Sequence, residues 1–85
     1  MNYSEYRKEF CDLDYLYVKS LREITVQIEN YIDNRCNDSN KLENILYGIK
    51  PIKEYAVYIE NTKFTSLVSS TEHRVEDMLI NSRTT

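Results

Sequence analysis

The stretch YSEYRKEFCDLDYLYVKSLREITVQIENY, residues 3–31, decides the fold class. Its apolar positions are Tyr3, Tyr6, Phe10, Leu13, Tyr17, Leu21, Ile24, Ile28 and Tyr31, separated by 3, 4, 3, 4, 4, 3, 4 and 3 residues. Alternating threes and fours place every one of these side chains on one side of an α-helix, whereas a strand would need a period of two. The repeated four at Tyr17 is a stutter in a heptad seam. No Gly or Pro interrupts the run, so one helix is expected over about 3–36. About 34 helical residues would span roughly 50 Å at 1.5 Å each. Between the seam positions sit Glu9, Asp12, Lys19, Arg22, Glu23, Glu29 and Asp33, which read as a solvated face. A lone helix cannot bury its own stripe, so packing against other helices must stabilise it.

Outward from this seam, Arg35-Cys36-Asn37-Asp38-Ser39-Asn40 reads as a turn near 36–40, because Asn, Asp and Ser side chains compete for their own backbone. The alternative is a helix that continues through these residues with a frayed middle. Asn40 with Glu43 three residues on is the expected cap of a second helix. That helix is expected over about 41–81. Its stripe of Leu42, Ile45, Ile49, Ile52, Ala56 and Ile59 steps by 3, 4, 3, 4 and 3. Gly48 and Pro51 fall inside it, and a kink there, or a new helix opening at Pro51, fits the unbroken phase. Beyond Ile59 the seam is diluted by Thr62, Ser66, Ser69, Ser70 and Thr71. A shifted stripe of Phe64, Leu67, Val68, Val75, Met78 and Leu79 takes over. Such a shift marks a seam drifting around its helix or a change of partner. The expected fold is all-α: one helical chain over 1–85, with two long helices forming a coiled coil or a helical hairpin.

Composition narrows the function. The chain has 85 residues, one Gly and one Pro, which excludes collagen-like, linker-like and turn-rich β architectures. No apolar run approaches the roughly 18 residues of a membrane span, and residues 1–10 have neither signal nor transit character, so a cytoplasmic protein is expected. The net charge is −3, with six basic and nine acidic residues in 1–43 and five of each in 44–85. Without a basic stripe there is no footprint for nucleic acid, and an acidic-leaning polar face does not suit an anionic lipid surface.

No constellation of catalytic type stands out. His73 is the single histidine, beside Glu72, Glu76 and Asp77, and no HExxH or ExxH pair supplies further metal ligands. It reads as an exposed histidine in a charged patch. Cys11 and Cys36 lie 25 residues apart without a CxxC; they read as reduced, small apolar residues rather than nucleophiles, since no base and orienting group accompany them. There is no glycine-rich phosphate loop. The expectation is a protein without catalytic residues, cofactor, metal or small-molecule substrate. Eight tyrosines remain. Tyr3, Tyr6, Tyr17 and Tyr31 lie on the seam, while Tyr15, Tyr47, Tyr55 and Tyr58 lie on its margins. Marginal rings are either buried with a wet hydroxyl or face a second partner.

From Leu13 to about Leu79 the chain resembles a family of small coiled-coil subunits. The residues that carry this are Leu13, Leu16 and Leu21, then Arg22-Glu23-Ile24-Thr25-Val26-Gln27-Ile28, and further on Leu42, Leu46, Ile49, Ile52, Glu54, Ile59 and Glu60, with no gap across the break. The family is subunit two of the biogenesis of lysosome-related organelles complex. The resemblance implies scaffolding in endosome and lysosome-related organelle trafficking, peripheral attachment to those membranes through the complex, and no catalytic residues.

The first functional expectation is therefore a non-catalytic coiled-coil subunit of an intracellular complex, with other helical subunits as partners. The expected partner interface is Phe10, Leu13, Tyr17, Leu21, Ile24, Ile28, Tyr31, Leu42, Ile45, Ile49, Ile52 and Ile59. The alternative is a free-standing small helical protein that binds, and inhibits or regulates, one protein target.

Overall fold

The computed structural model describes residues 13–84, and within them the chain is all-α with three helices and no strand. Helix α1 runs Tyr15–Asp33, α2 runs Ser39–Tyr58 and α3 runs Thr62–Thr84. Short connections turn each helix back along its predecessor. The expectation of two long helices is corrected to three, in a body of 41 × 23 × 16 Å. The expected start at residue 3, Cys11 and Phe10 lie outside the described residues.

Helix α1 opens on Asp14, whose carboxylate accepts the Leu16 N–H at 2.9 Å. This satisfies one of the orphan donors of the first turn. Its end is a complete Schellman closure without glycine. Asn34 is the cap, Arg35 takes φ 51°, the Arg35 N–H donates to the Ile32 carbonyl at 3.0 Å and the Cys36 N–H to the Tyr31 carbonyl at 3.1 Å. Cys36 thus occupies the position whose side chain usually packs back on the last turn, and it is half-buried against the core. The Tyr31 hydroxyl accepts the Asp38 N–H at 2.7 Å and donates to the Asp38 carbonyl at 3.3 Å, clasping the turn from inside.

Asp38, rather than the expected Asn40, caps α2. Its carboxylate accepts the N–H groups of Asn40 and Lys41, at 3.1 and 3.3 Å. Capping from Asp38 lets the helix begin at Ser39, before the expected position. Pro51 lies inside α2, which stays α-helical through it. Pro51 is exposed, as is Tyr47 four residues before it, so the ring takes no place in the core.

No new helix opens at Pro51; the break in the expected second helix lies at Ile59–Asn61. Ile59 caps α2, Glu60 takes φ 56° and donates to the Val57 carbonyl at 3.1 Å, and the Asn61 side chain accepts the Phe64 N–H at 2.8 Å as the cap of α3. This accounts for the shifted stripe after Ile59, since a new helix starts with its own phase.

One core joins the three helices. Val18, Leu21, Ile24, Ile28 and Tyr31 of α1 meet Leu42, Ile45, Ile49, Ile52 and Ala56 of α2, and Phe64, Val68, Val75 and Leu79 of α3. Each fully buried aliphatic side chain contributes about 1.5–3 kcal/mol. Helix α2 packs on both neighbours and most extensively on α3, while α1 and α3 touch less. The polar dilution of α3 does not break it, because hydroxyls bond within their own helix: Thr65 donates to the Asn61 carbonyl at 2.8 Å and Thr71 to the Leu67 carbonyl at 3.0 Å. Among the described residues, no polar or charged residue is buried.

Gly48 faces α1 in ordinary helical conformation. A methyl group there would meet the Ile24 Cδ1 at 3.5 Å, an ordinary contact. Gly48→Ala should therefore raise stability by about 0.5–1 kcal/mol in urea unfolding, because the entropic cost of glycine is removed without a clash; a loss would mean that the helices are closer than this contact implies. Tyr31→Phe should cost about 1–2 kcal/mol in the same assay, since it leaves the part-buried Asp38 N–H without its acceptor.

Candidate protein-interaction surface

The residues expected to face partner helices are placed mainly inside the chain. Leu21, Ile24, Ile28, Tyr31, Leu42, Ile45, Ile49 and Ile52 are buried against one another. Leu13 and Tyr17 are half-buried against the same core, and Ile59 is half-buried at the end of α2. Val18 and the α3 residues Phe64, Val68, Val75 and Leu79 complete this core without having been placed on the seam of expected interface residues. Val18 sits one position from Tyr17 and turns inward at the spacing of Leu21 and Thr25, a pattern hidden by the stronger 17–21–24–28 series.

The marginal tyrosines divide into two kinds. Tyr55 is half-buried: its ring stacks on Tyr17 with centroids 4.0 Å apart and planes 4° from parallel, and its hydroxyl oxygen accepts the Asp14 N–H at 2.8 Å. It pins the start of α1 to the end of α2, a structural task. Tyr47 and Tyr58 do the opposite, with 74% and 86% of their surface open to solvent. Tyr15 is also about half exposed, at 51%.

Tyr47 and Tyr58 belong to a second apolar stripe on α2. With half-buried Leu46 and exposed Val57 they are the apolar residues among those lining an open groove of about 850 Å³ along α2 and α3. Two stripes on one helix follow from the sequence. The core uses 42, 45, 49, 52 and 56; Leu46 and Val57 lie about a quarter turn around the helix from it, and Tyr47 and Tyr58 about half a turn. An apolar face of this kind, with two large rings exposed, is the sort of surface that marks interaction sites.

Charged residues line the groove between and beside these side chains. Glu43, Lys50, Lys53 and Glu54 come from α2, and Glu72 and Glu76 from α3. The Lys53 Nζ lies 2.8 Å from the Glu72 Oε1 across the two helices. Its pKa is raised above 10.5, first by the hydrogen bond to Glu72 and then by the Glu72 charge, against a smaller opposing effect of desolvation, with the Glu76 charge adding least.

His73 is exposed on α3. Among the described residues no group of three or more His, Cys, Asp or Glu side chains is placed to hold a metal ion, and no helix is long and apolar enough to cross a membrane. Cys36 is a free thiol engaged in the turn after α1.

No family model, curated protein or solved structure matches the chain.

The Lys53–Glu72 bridge carries a sign that can be tested. A raised lysine pKa stabilises the folded state fully below 10.5 and loses that contribution as pH rises through the higher folded value. The stability difference between the wild type and Glu72→Gln should therefore be flat between pH 7 and about 10 and shrink only above it. Chemical unfolding of both proteins at matched pH measures this, and a difference that shrinks near neutrality would show that another group governs the pair.

Proposed function

We propose that the chain is a non-catalytic helical protein that works by binding other proteins, folding on itself and offering its outer surface to them. The observation that carries this reading is the division of its apolar residues. The seam is spent inside the chain, where Leu21, Leu42 and Ile49 have no exposed surface, while Tyr47, Val57 and Tyr58 stay out in solvent. Ring-rich apolar surface beside charged groups is the composition of protein interfaces, which are enriched in tyrosine at the centre and polar at the rim.

This favours the free-standing binding protein over a subunit whose seam is completed by partner helices. A seam already buried has no surface left for a partner unless the three helices come apart. Opening them would expose side chains each contributing about 1.5–3 kcal/mol of burial. The trafficking role implied by the resemblance finds no added support in any feature of the described residues.

Two measurements test the reading together. The purified chain alone should sediment as a monomer and melt cooperatively, and Ile49→Asp should abolish that melt by burying an unpaired charge. In its native cell, a tagged chain should retain a stoichiometric protein partner that the surface variant Tyr47→Ser/Tyr58→Ser loses, with melting unchanged. An isolated chain that is frayed or aggregated, and folds only with other helical subunits, would return the function to an obligate coiled-coil subunit.

A further inference from the structure

We propose that the turn after α1 is a hinge, and that two copies of the chain exchange α1 across it, forming a dimer in which α1 and α2 run on as one helix. The inference stands apart from the protein-binding reading above and uses none of the groove residues.

Strain and bonding locate the hinge. Between Asp33 and Ser39 the chain reverses within residues 34–38, and Arg35 there takes φ 51°, a conformation that a side chain disfavours. Short strained connections of this kind favour exchange between copies. Straightening costs no backbone bond at the closure itself. The Arg35 and Cys36 N–H groups now donate to the Ile32 and Tyr31 carbonyls, and in a continuous helix the same two donors trade the same two acceptors.

Phase selects this turn over the second one, where Glu60 has φ 56°. From Tyr31 to Leu42 is 11 positions, about three turns, so a helix continued through the hinge carries the core stripe of α1 into that of α2 within about 20°. From Ala56 to Phe64 is eight positions, and a helix continued there would displace the stripe by about 80°. Helices α2 and α3 also share the most extensive contact and the Lys53–Glu72 bridge, so they stay together as the unit on which α1 is exchanged.

Register supplies the partner. Tyr17 stacks on Tyr55, and Gly48 lies against Ile24; both pairs are centred on position 36, inside the hinge. Two straightened copies can therefore lie antiparallel about a two-fold axis at that position, with each α1–α2 contact of the monomer remade between copies. Arg35 and Asp38 then fall on the facing side of the helix, and the antiparallel register sets Arg35 of one copy beside Asp38 of the other, opposite charges rather than like ones.

Other features hold the monomer at low concentration. Straightening breaks the bonds of the Tyr31 hydroxyl to Asp38 and of Ser82 to Asn37, and it places Asn34, Asn37 and Asp38, weak helix formers, inside a helix. Exchange is slow as well, because Val18, Leu21, Ile24, Ile28 and Tyr31 must leave the core before they enter that of another copy.

The test refolds the full chain from urea at about 10 μM and at about 1 mM. Size-exclusion chromatography with light scattering should show a monomer at the lower concentration, and at the higher one a dimer fraction that persists after dilution. Arg35→Gly, which accepts the turn without strain, should lower the dimerisation constant about tenfold or more, and Asn34→Ala/Asn37→Ala should raise it. A dimer refolded from a carbon-13-labelled chain mixed with an unlabelled one should show nuclear Overhauser effects between Tyr17 of one copy and Tyr55 of the other. Absence of a dimer at the higher concentration, Tyr17–Tyr55 effects that stay within each chain, or an unchanged dimerisation constant in Arg35→Gly would overturn the inference. So would loss of the dimer in the surface variant Val57→Asp, which would make the contact one between outer faces.

Discussion

The inner stripe of α2 is the contact on which the other elements depend. Leu42, Ile45, Ile49, Ile52 and Ala56 form the middle of the core, with α1 on one side and α3 on the other. Neither outer helix makes an equivalent contact with the other. The central helix therefore has to stay straight enough to serve both, although it contains the chain's one glycine and one proline. Both are placed where they do least harm. A methyl group on Gly48 would meet Ile24 at an ordinary contact distance, and Pro51 is exposed, away from the core. On the opposite side of α2, Tyr47 and Val57 are not needed for the core, and that leaves them available as surface.

The two connections show how such a chain turns without glycine. Arg35 and Glu60 both adopt the left-handed conformation that closes a helix, and for a residue with a side chain this costs roughly 1–2 kcal/mol each. Local bonds offset the cost at each turn. At the first, the Tyr31 hydroxyl holds both the N–H and the carbonyl of Asp38, and Asp38 in turn caps α2. At the second, Asn61 caps α3 immediately after Glu60. At its far end α3 reaches back to the first turn, where the Ser82 hydroxyl donates to the Asn37 Oδ1 at 2.7 Å. The first turn is thereby fixed from α1, α2 and α3 together.

These same residues explain what the sequence allowed to be read. Helical class and the core positions of α1 and α2 follow from spacing, because heptad-like periodicity survives any choice of partner: Leu21, Ile24, Ile28, Leu42, Ile45, Ile49 and Ile52 all stand where the 3–4 steps put them. The break at Ile59–Asn61 did not show, because its signals are weak ones. A glutamate occupies the position where glycine or asparagine would announce a turn, and the step from Ala56 to Ile59 continues the seam into the cap. The phase shift at Phe64 was the one trace of it. Pro51 allowed either a kink or the start of a new helix, and of these only the new helix is excluded, since α2 continues through it. The direction of the seam was equally hidden. Periodicity identifies a face that must be buried and says nothing of whether the neighbour belongs to the same chain.

That last ambiguity bears on function. A two-helix chain must leave one side of its seam for a partner, whereas a third helix supplies the missing side from within. The turn at Ile59–Asn61 is thus the feature that converts an interface into a core: it brings Phe64, Val68, Val75 and Leu79 back against α2. Once the seam is closed in this way, the large apolar side chains that α2 leaves in solvent are Tyr47, Val57 and Tyr58, and none of them is needed to hold the three helices together.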